Sequence, residues 1–196
     1  MNIVPGLIGV ILTLTMVLFT AIAIVREKEN GNMELLIATP LSVMELLIGK
    51  VLPYIAIGLV QASLILGLGY WVFTVPINGS LLDVYLVTLI FIAPSLTLGL
   101  LISTFATTQL QAMQMSIFVF MPSILLSGFM FPFAGMPVAA QWIAQILPLT
   151  HYLQLIRGVV LRGASLGELL PQVMVLLAIT AITLSIAALR FNKRLD

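Results

Sequence analysis

The chain has 196 residues, of which 61% are hydrophobic and only 8% are charged, and its mean hydropathy is +1.22. These values lie outside the range of soluble globular domains and are typical of an integral membrane protein. The net charge of +1 provides no basic surface for nucleic acid, and the absence of cysteine excludes disulfides, thiolate catalysis and cysteine metal sites.

Five apolar segments are long enough to cross a membrane as helices, because a hydrocarbon core of about 30 Å requires about 20 helical residues. Backbone polar groups find no water within lipid, and no segment shows the alternating pattern of a barrel strand. We therefore predict an all-α integral membrane protein with five transmembrane helices. In chain order they are Pro5–Val25, Leu46–Phe73, Leu82–Ala106, Ala112–Phe131 and Leu169–Leu189. The second is too long to span upright, so we expect Pro53 to divide it into an interfacial piece and a spanning piece.

The insert between the first two helices, Arg26–Pro40, is rich in charge and must face water, since a central charge in the membrane costs about 2.5–3.5 kcal/mol. Within it, Met33–Ala38 favours a short helix that Thr39-Pro40 ends. The positive-inside rule assigns this side to the cytoplasm. Its basic residues are Arg26, Lys28, Lys50, Arg190, Lys193 and Arg194, whereas only Arg157 and Arg162 lie opposite. The amino terminus is then outside, so we interpret the chain as the carboxy-terminal part of a larger protein.

Helix-start signals support three of these boundaries. Ser42, Ser80 and Ser165 each precede an apolar run and lie three residues ahead of a carboxylate, the spacing of a capping box. We predict that each serine is an N-cap. Small residues at Gly67, Gly69 and Gly99 would allow close helix approach, although ordinary packing explains them as well.

The segment between the fourth and fifth predicted helices is cut by Pro132, Pro137 and Pro148. Its apolar run Val138–Leu147 would reach about 15 Å as a helix, half of the hydrocarbon core, and so cannot cross. Polar side chains, including His151 and Arg157, lie along one face of the helix that follows. These features predict a re-entrant or interfacial helical hairpin, hinged at Pro148, on the extracytoplasmic side.

Two patterns suggest chemistry, and each has a simpler explanation. Gly163–Gly167 matches the G-x-S-x-G pattern of serine hydrolases, and the single histidine, His151, lies upstream, as an intramembrane serine protease would need. That motif requires a preceding strand, whereas a helix precedes Ser165, so the N-cap is the favoured interpretation. Gly49-Lys50 is followed by Val51 where a Walker loop requires Ser or Thr, so no ATP site is predicted. We predict neither a catalytic residue nor a metal site in this chain.

In chain order these features resemble the permeases of ABC-2-type transporters, especially the bacterial multidrug-exporter-like branch. The cytoplasmic part of the similarity is Arg26-Glu27-x-Glu29-x-Gly31-x-x-Glu34, then Thr39-Pro40, then Gly49-Lys50 with Pro53. The outer part is Leu126-Ser127-Gly128, Pro132, Met136, Pro137, Pro148, Arg157, Leu161 and Gly163. The similarity covers essentially the whole chain and departs at Asn32, where relatives commonly have threonine. Such permeases usually have six membrane helices, so we expect residues 1–196 to form a single transmembrane domain lacking the first helix and any extracytoplasmic domain.

The resemblance implies a permease subunit of an ATP-driven exporter in the bacterial inner membrane, working as a homodimer or heterodimer surrounded by lipid. Separate cytoplasmic ABC ATPase subunits would bind ATP and Mg²⁺, and this chain would bind no cofactor. An apolar pathway favours hydrophobic drugs or lipids as cargo. The insert would be a coupling element docked on the ATPase through Arg26, Glu27, Glu29, Gly31, Met33, Glu34, Leu35 and Pro40. A solvated loop that only enforces topology, and a membrane-assembly subunit without transport, are the alternatives.

By the same resemblance the translocation pathway follows the first and fourth helices, which would meet at the centre of the dimer. Residues at helical spacing mark the two faces: Met115, Phe118, Pro122 and Leu125 on the fourth helix, and Thr15, Met16 and Phe19 on the first. Methionine and aromatic surfaces suit varied apolar cargo. Any buried or lipid-facing helix can carry a similar stripe, so packing alone is the competing explanation.

Overall fold

The computed structural model describes residues 3–31, 43–73 and 78–192. These ranges contain α-helices, one short 3₁₀ helix at Phe133–Gly135 and no strand, which confirms the predicted all-α class. The α-helices are α1 (Ile3–Glu29), α2 (Val43–Phe73), α3 (Leu81–Phe105), α4 (Gln109–Leu126), α5 (Val138–Ile146), α6 (Pro148–Arg162) and α7 (Leu170–Asn192).

Five of the described helices, α1, α2, α3, α4 and α7, are long and apolar enough to cross a membrane, as the sequence predicts. The chain is therefore a multi-pass membrane protein. The predicted end of the fourth span at Phe131 is wrong, because α4 stops at Leu126. The residues that follow are apolar but not helical, and Gly128 has a φ of +87°, outside the right-handed helical region.

The predicted division of α2 at Pro53 is not observed, since the helix is continuous from Val43 to Phe73 with the proline inside it. Proline removes one backbone hydrogen bond, but a membrane helix can continue past it when neighbouring groups satisfy the freed carbonyl.

Helices α1 and α3 form the centre of the bundle, and together they supply half of the buried hydrophobic side chains among the described residues. They cross closely at Gly99, where an added Cβ would lie 2.7 Å from the backbone oxygen of Val17. At Gly69 the neighbouring atom belongs to the side chain of Val4, so this glycine also permits close approach. A Cβ added at Gly67 would have no atom of the described residues within 4 Å, so this glycine permits no close helix approach among them.

The predicted helix caps have different outcomes. The hydroxyl of Ser80 accepts a hydrogen bond from the Leu82 amide at 3.2 Å, which confirms it as the N-cap of α3. The prediction for Ser165 is wrong, because residues 166–169 form a turn and α7 begins only at Leu170. The Ser165 hydroxyl instead donates to the Glu168 carboxylate at 3.3 Å. Ser42 lies outside the described residues.

Candidate functional site

One face of α4 forms an open groove of about 620 Å³. The side chains along it are apolar except for one glutamine, and Phe118 is 79% exposed. The lining residues are Gln114, Ile117, Phe118, Met121, Pro122, Leu125 and Leu126. An apolar face of this kind is left uncovered by the rest of the described chain, so lipid, cargo or another protein must cover it in a membrane.

The structure places three of the four predicted pathway residues of α4 in this groove: Phe118, Pro122 and Leu125. Met115 does not line the groove and instead packs against the buried cluster that contains Val17 and Ala21 of α1. The groove residues that the sequence prediction missed are Gln114, Ile117 and Met121. Their helical spacing from Phe118 and Leu125 was the available signal.

The predicted pathway residues of α1 do not line the groove. Met16 is completely buried in the main core, and the hydroxyl of Thr15 lies 2.9 Å from the side-chain oxygen of Gln61 on α2. Phe19 is 44% exposed but lies outside the groove lining. Helix α1 meets α4 through Val17 and its buried neighbours instead, so these two helices are in contact along a face different from the predicted one.

At one end of the bundle the carboxylate of Glu29, the last residue of α1, contacts the start of α4. Its Oε1 accepts a hydrogen bond from the Gln109 amide at 2.9 Å, and its Oε2 accepts one from the Gln109 side-chain amide at 2.6 Å. Gln109 is the first residue of α4, where backbone amides lack helical partners and the helix dipole favours negative charge. The carboxylate therefore caps α4 from another helix.

The carboxyl ends of α1, α3 and α7 lie at this same end of the bundle. The ammonium group of Lys28 donates to the backbone oxygen of Ser103 near the end of α3. The guanidinium of Arg190, near the end of α7, lies 3.9 Å from the centre of the Phe105 ring. Cations in the last turns of α1 and α7 complement the negative ends of the helix dipoles.

The described part of the predicted coupling element is the carboxyl end of α1 and the turn after it. Arg26 and Glu29 are exposed, whereas Glu27 is half-buried. Gly31 has a φ of +68°, a conformation that favours glycine and ends the helix. The other predicted coupling residues, Met33, Glu34, Leu35 and Pro40, lie outside the described residues.

The two short helices α5 and α6 lie where the sequence predicts a helical hairpin, with Pro137 just before α5 and Pro148 as the first residue of α6. His151 fixes their corner, since its Nε2 lies 2.8 Å from the backbone oxygen of Gln145. Four large apolar side chains of α5 are exposed, including Trp142 at 68%. Helix α5 thus presents an apolar face, as an interfacial helix does.

Helix α6 is embedded in the bundle. The ring of Tyr152 is fully buried and stacks on Phe91 of α3 with centroids 4.1 Å apart, and its hydroxyl lies 3.2 Å from that of Thr88. Thr88 and Phe91 lie about 10–15 Å along α3 from its start, so α6 reaches well into the bundle. Of the two predicted alternatives, this depth favours a re-entrant helix for α6.

Two polar contacts hold α6 to neighbouring segments. Arg157 donates from Nη1 to the backbone oxygen of Gly128 at 3.2 Å, joining α6 to the chain that follows α4. Burial lowers the pKa of the Arg157 guanidinium from its ordinary value, although an arginine in a protein remains charged. At the end of α6, Asn78 donates from its backbone and side-chain amides to the oxygens of Val160 and Leu161 at 3.0 and 2.8 Å. The sequence prediction missed this role of Asn78.

The structure contradicts the serine hydrolase alternative. His151 lies in the first turn of α6 and Ser165 lies beyond its last residue, so about 16 Å of helix separates them. Each already has another partner, the Gln145 oxygen for His151 and the Glu168 carboxylate for Ser165. A nucleophile and its base must lie within hydrogen-bond reach, and these two residues do not.

Comparison with known proteins agrees with this architecture. Residues 1–161 match the family model for ABC-2 type transporters. The chain belongs to the ABC-2 type transporter family. It is 36% identical over 193 residues to "Probable multidrug ABC transporter permease YbhR" of Escherichia coli and 32% identical over 195 residues to "Probable multidrug ABC transporter permease YbhS" of the same organism. It is also 29% identical over 192 residues to "ABC transporter G family member 20" of Dictyostelium discoideum.

These alignments include nearly all of this ABC-2 chain but only part of each relative. They cover 98% and 99% of the chain for the two E. coli proteins, and 52% of either of those proteins. For the Dictyostelium protein they cover 97% of the chain and 26% of the relative. The chain therefore spans about half the length of the curated bacterial relatives it matches.

Proposed function

We propose that this ABC-2 chain is the membrane part of an exporter permease in a bacterial inner membrane. It moves hydrophobic drug-like or lipid substrates outward, and a separate cytoplasmic ABC ATPase supplies the energy. The observation that supports this function best is the apolar groove on α4, which combines an exposed aromatic ring, a flexible methionine and almost no polar surface. The multidrug permeases among the relatives support the same class of cargo.

The composition of the groove suits cargo that varies in shape. Met121 and Phe118 offer polarisable, adaptable contacts, and neither demands a specific hydrogen bond from the cargo. Among the described residues that line the groove, Gln114 is the only one whose side chain has hydrogen-bonding groups. In the proposed exporter a second permease subunit faces this groove, and the cargo passes between the two copies.

In this proposal the energy of ATP hydrolysis reaches the permease through the charged insert, Arg26–Pro40. This insert begins at the cluster formed by Lys28, Glu29 and the α3–α4 turn, on the side of the bundle to which the basic residues assign the cytoplasm. An ATPase docked on the insert would act on the carboxyl end of α1. Among the spanning helices of the described chain, α1 and α3 are the most buried, so a displacement of α1 would act on the helices packed against it.

Side-chain truncation in the groove tests the proposed cargo site. Phe118→Ala and Met121→Ala in the full permease should alter which dyes or drugs stimulate the partner ATPase and are exported, because both side chains would contact cargo. Met174→Ala on α7 is the matched control, since Met174 is also an exposed methionine of a spanning helix but lies outside the groove. The readouts are ligand-stimulated ATP hydrolysis and export measured across several substrates.

The result expected is a change in substrate profile for the two groove variants and an unchanged profile for Met174→Ala. Equal effects at all three positions would indicate a general loss of packing and would overturn the groove assignment. Absence of an ATPase that binds the permease would overturn the exporter function itself.

A further inference from the structure

We propose that Glu29 is a positioning residue that fixes the cytoplasmic end of α1 to the first turn of α4, so that movement of the coupling insert is passed to the groove. The inference rests on the proposed exporter function and adds an internal connection to it. The family resemblance makes Glu29 a docking residue for the ATPase. The structure gives its carboxylate a partner within the chain.

Both carboxylate oxygens of Glu29 are engaged by one residue. The Gln109 amide and the Gln109 side chain donate to Oε1 and Oε2 at 2.9 and 2.6 Å. A negatively charged acceptor shortens and strengthens such bonds, and the positive end of the α4 dipole adds to them. The contact joins residues 80 positions apart, so it is a tertiary link rather than local capping.

The rest of the α4 start is fixed by its own side chains. Thr108 accepts a hydrogen bond from the Gln111 amide at 3.2 Å, and the Gln111 side chain accepts one from the Thr107 amide at 2.9 Å. These bonds hold the turn before α4 as one unit with its first helical turn. A force applied to the Gln109 amide therefore acts on the helix and not on a loose loop.

The position of Glu29 along the chain makes it the junction between insert and bundle. It is the last residue of α1, and Gly31 ends the helix two residues later with a φ of +68°. Among the described residues, Glu29 links the carboxyl end of α1 directly to the first residue of α4. The groove begins at Gln114, five residues beyond Gln109, or about 7.5 Å along the helix axis.

The test compares coupling with assembly in the full permease, reconstituted with its ATPase in lipid vesicles. Glu29→Ala should leave the ATPase bound but lower the amount of dye transported per ATP hydrolysed by about fivefold or more, the lower range of allosteric coupling. Glu29→Gln should lose less of the transport per ATP hydrolysed, because its amide oxygen can still accept a hydrogen bond from the Gln109 amide. Glu168→Ala is the control, since it removes a carboxylate from an exposed turn at the other end of the bundle.

A covalent cross-link can show whether the contact between Glu29 and Gln109 transmits movement to α4 or only stabilises the fold. These 196 residues contain no cysteine, so, after replacement of any cysteine elsewhere in the full permease, Glu29→Cys and Gln109→Cys can be combined and joined by a short bifunctional thiol reagent. Cross-linking should restore transport per ATP towards the unchanged value, because the link replaces the carboxylate contact. This readout does not depend on whether Glu29→Ala expresses well.

Three results would overturn the inference and leave the proposed function standing. Two of them are an unchanged ratio of transport to ATP hydrolysis in Glu29→Ala and abolition of transport by the cross-link. Loss of ATPase binding in Glu29→Ala would also overturn it, because the residue would then act in docking. If the unchanged permease shows no ATP-dependent transport, the proposed function fails and the inference fails with it.

Discussion

The crossing of α1 and α3 at Gly99 makes a quantitative prediction about stability. A Cβ at this position would lie 2.7 Å from the Val17 oxygen and 2.8 Å from the Thr20 Cβ, both closer than van der Waals contact allows. Gly99→Ala must therefore push the two central helices apart, and overpacking of this kind costs about 1–3 kcal/mol. Alanine returns about 0.5–1 kcal/mol through its better helix propensity. The expected net loss lies between about 0 and 2.5 kcal/mol, and its midpoint of about 1 kcal/mol is equivalent to a few degrees in melting temperature.

Gly67→Ala supplies the matched control. Gly67 also lies within a spanning helix, but no atom of the described part of the chain lies within 4 Å of an added Cβ, so only the propensity gain remains. Thermal unfolding of both variants in detergent, followed by tryptophan fluorescence, should show Gly99→Ala melting below the unchanged protein and Gly67→Ala at or above it. Equal melting temperatures for the two variants would refute the close crossing of α1 and α3.

Three further predictions concern the hairpin, the hydrolase alternative and the orientation. Tyr152→Phe keeps the stacking on Phe91 but loses the Thr88 hydrogen bond, so the free energy of unfolding should fall by about 0.5–1.5 kcal/mol. An unchanged free energy of unfolding would show that this bond contributes nothing to stability. Ser165→Ala should leave transport unchanged, whereas complete inactivation would revive a nucleophilic role. A single cysteine replacing exposed Asn30 should resist impermeant reagents in intact cells, and labelling there would reverse the assigned orientation.

The sequence predicts the helices better than their ends, because hydropathy measures transfer to lipid and not backbone conformation. Gln109 and Gln111 are polar, so the predicted fourth span starts at Ala112, yet both glutamines belong to the first turn of α4 and fix its start. At the other end, apolar residues up to Phe131 extend the predicted span, although the backbone has already left the helix before Gly128.

The site is only partly predictable for a related reason. Helical spacing finds Phe118, Pro122 and Leu125 on one face of α4, but it cannot tell which face the other helices cover. Packing against α1 removes Met115 from that face, and Met16 is buried in the core. The contact between Glu29 and Gln109 has no local signal at all, since it depends on how α1 and α4 dock.

Reconstituted transport tests the central claim most directly. The full permease and the ATPase that purifies with it are placed in lipid vesicles, and movement of a hydrophobic fluorescent dye across the bilayer is followed over time. The exporter function predicts dye movement with ATP, and none with a non-hydrolysable analogue or without the ATPase subunit. Dye movement that is the same with and without ATP hydrolysis would contradict it.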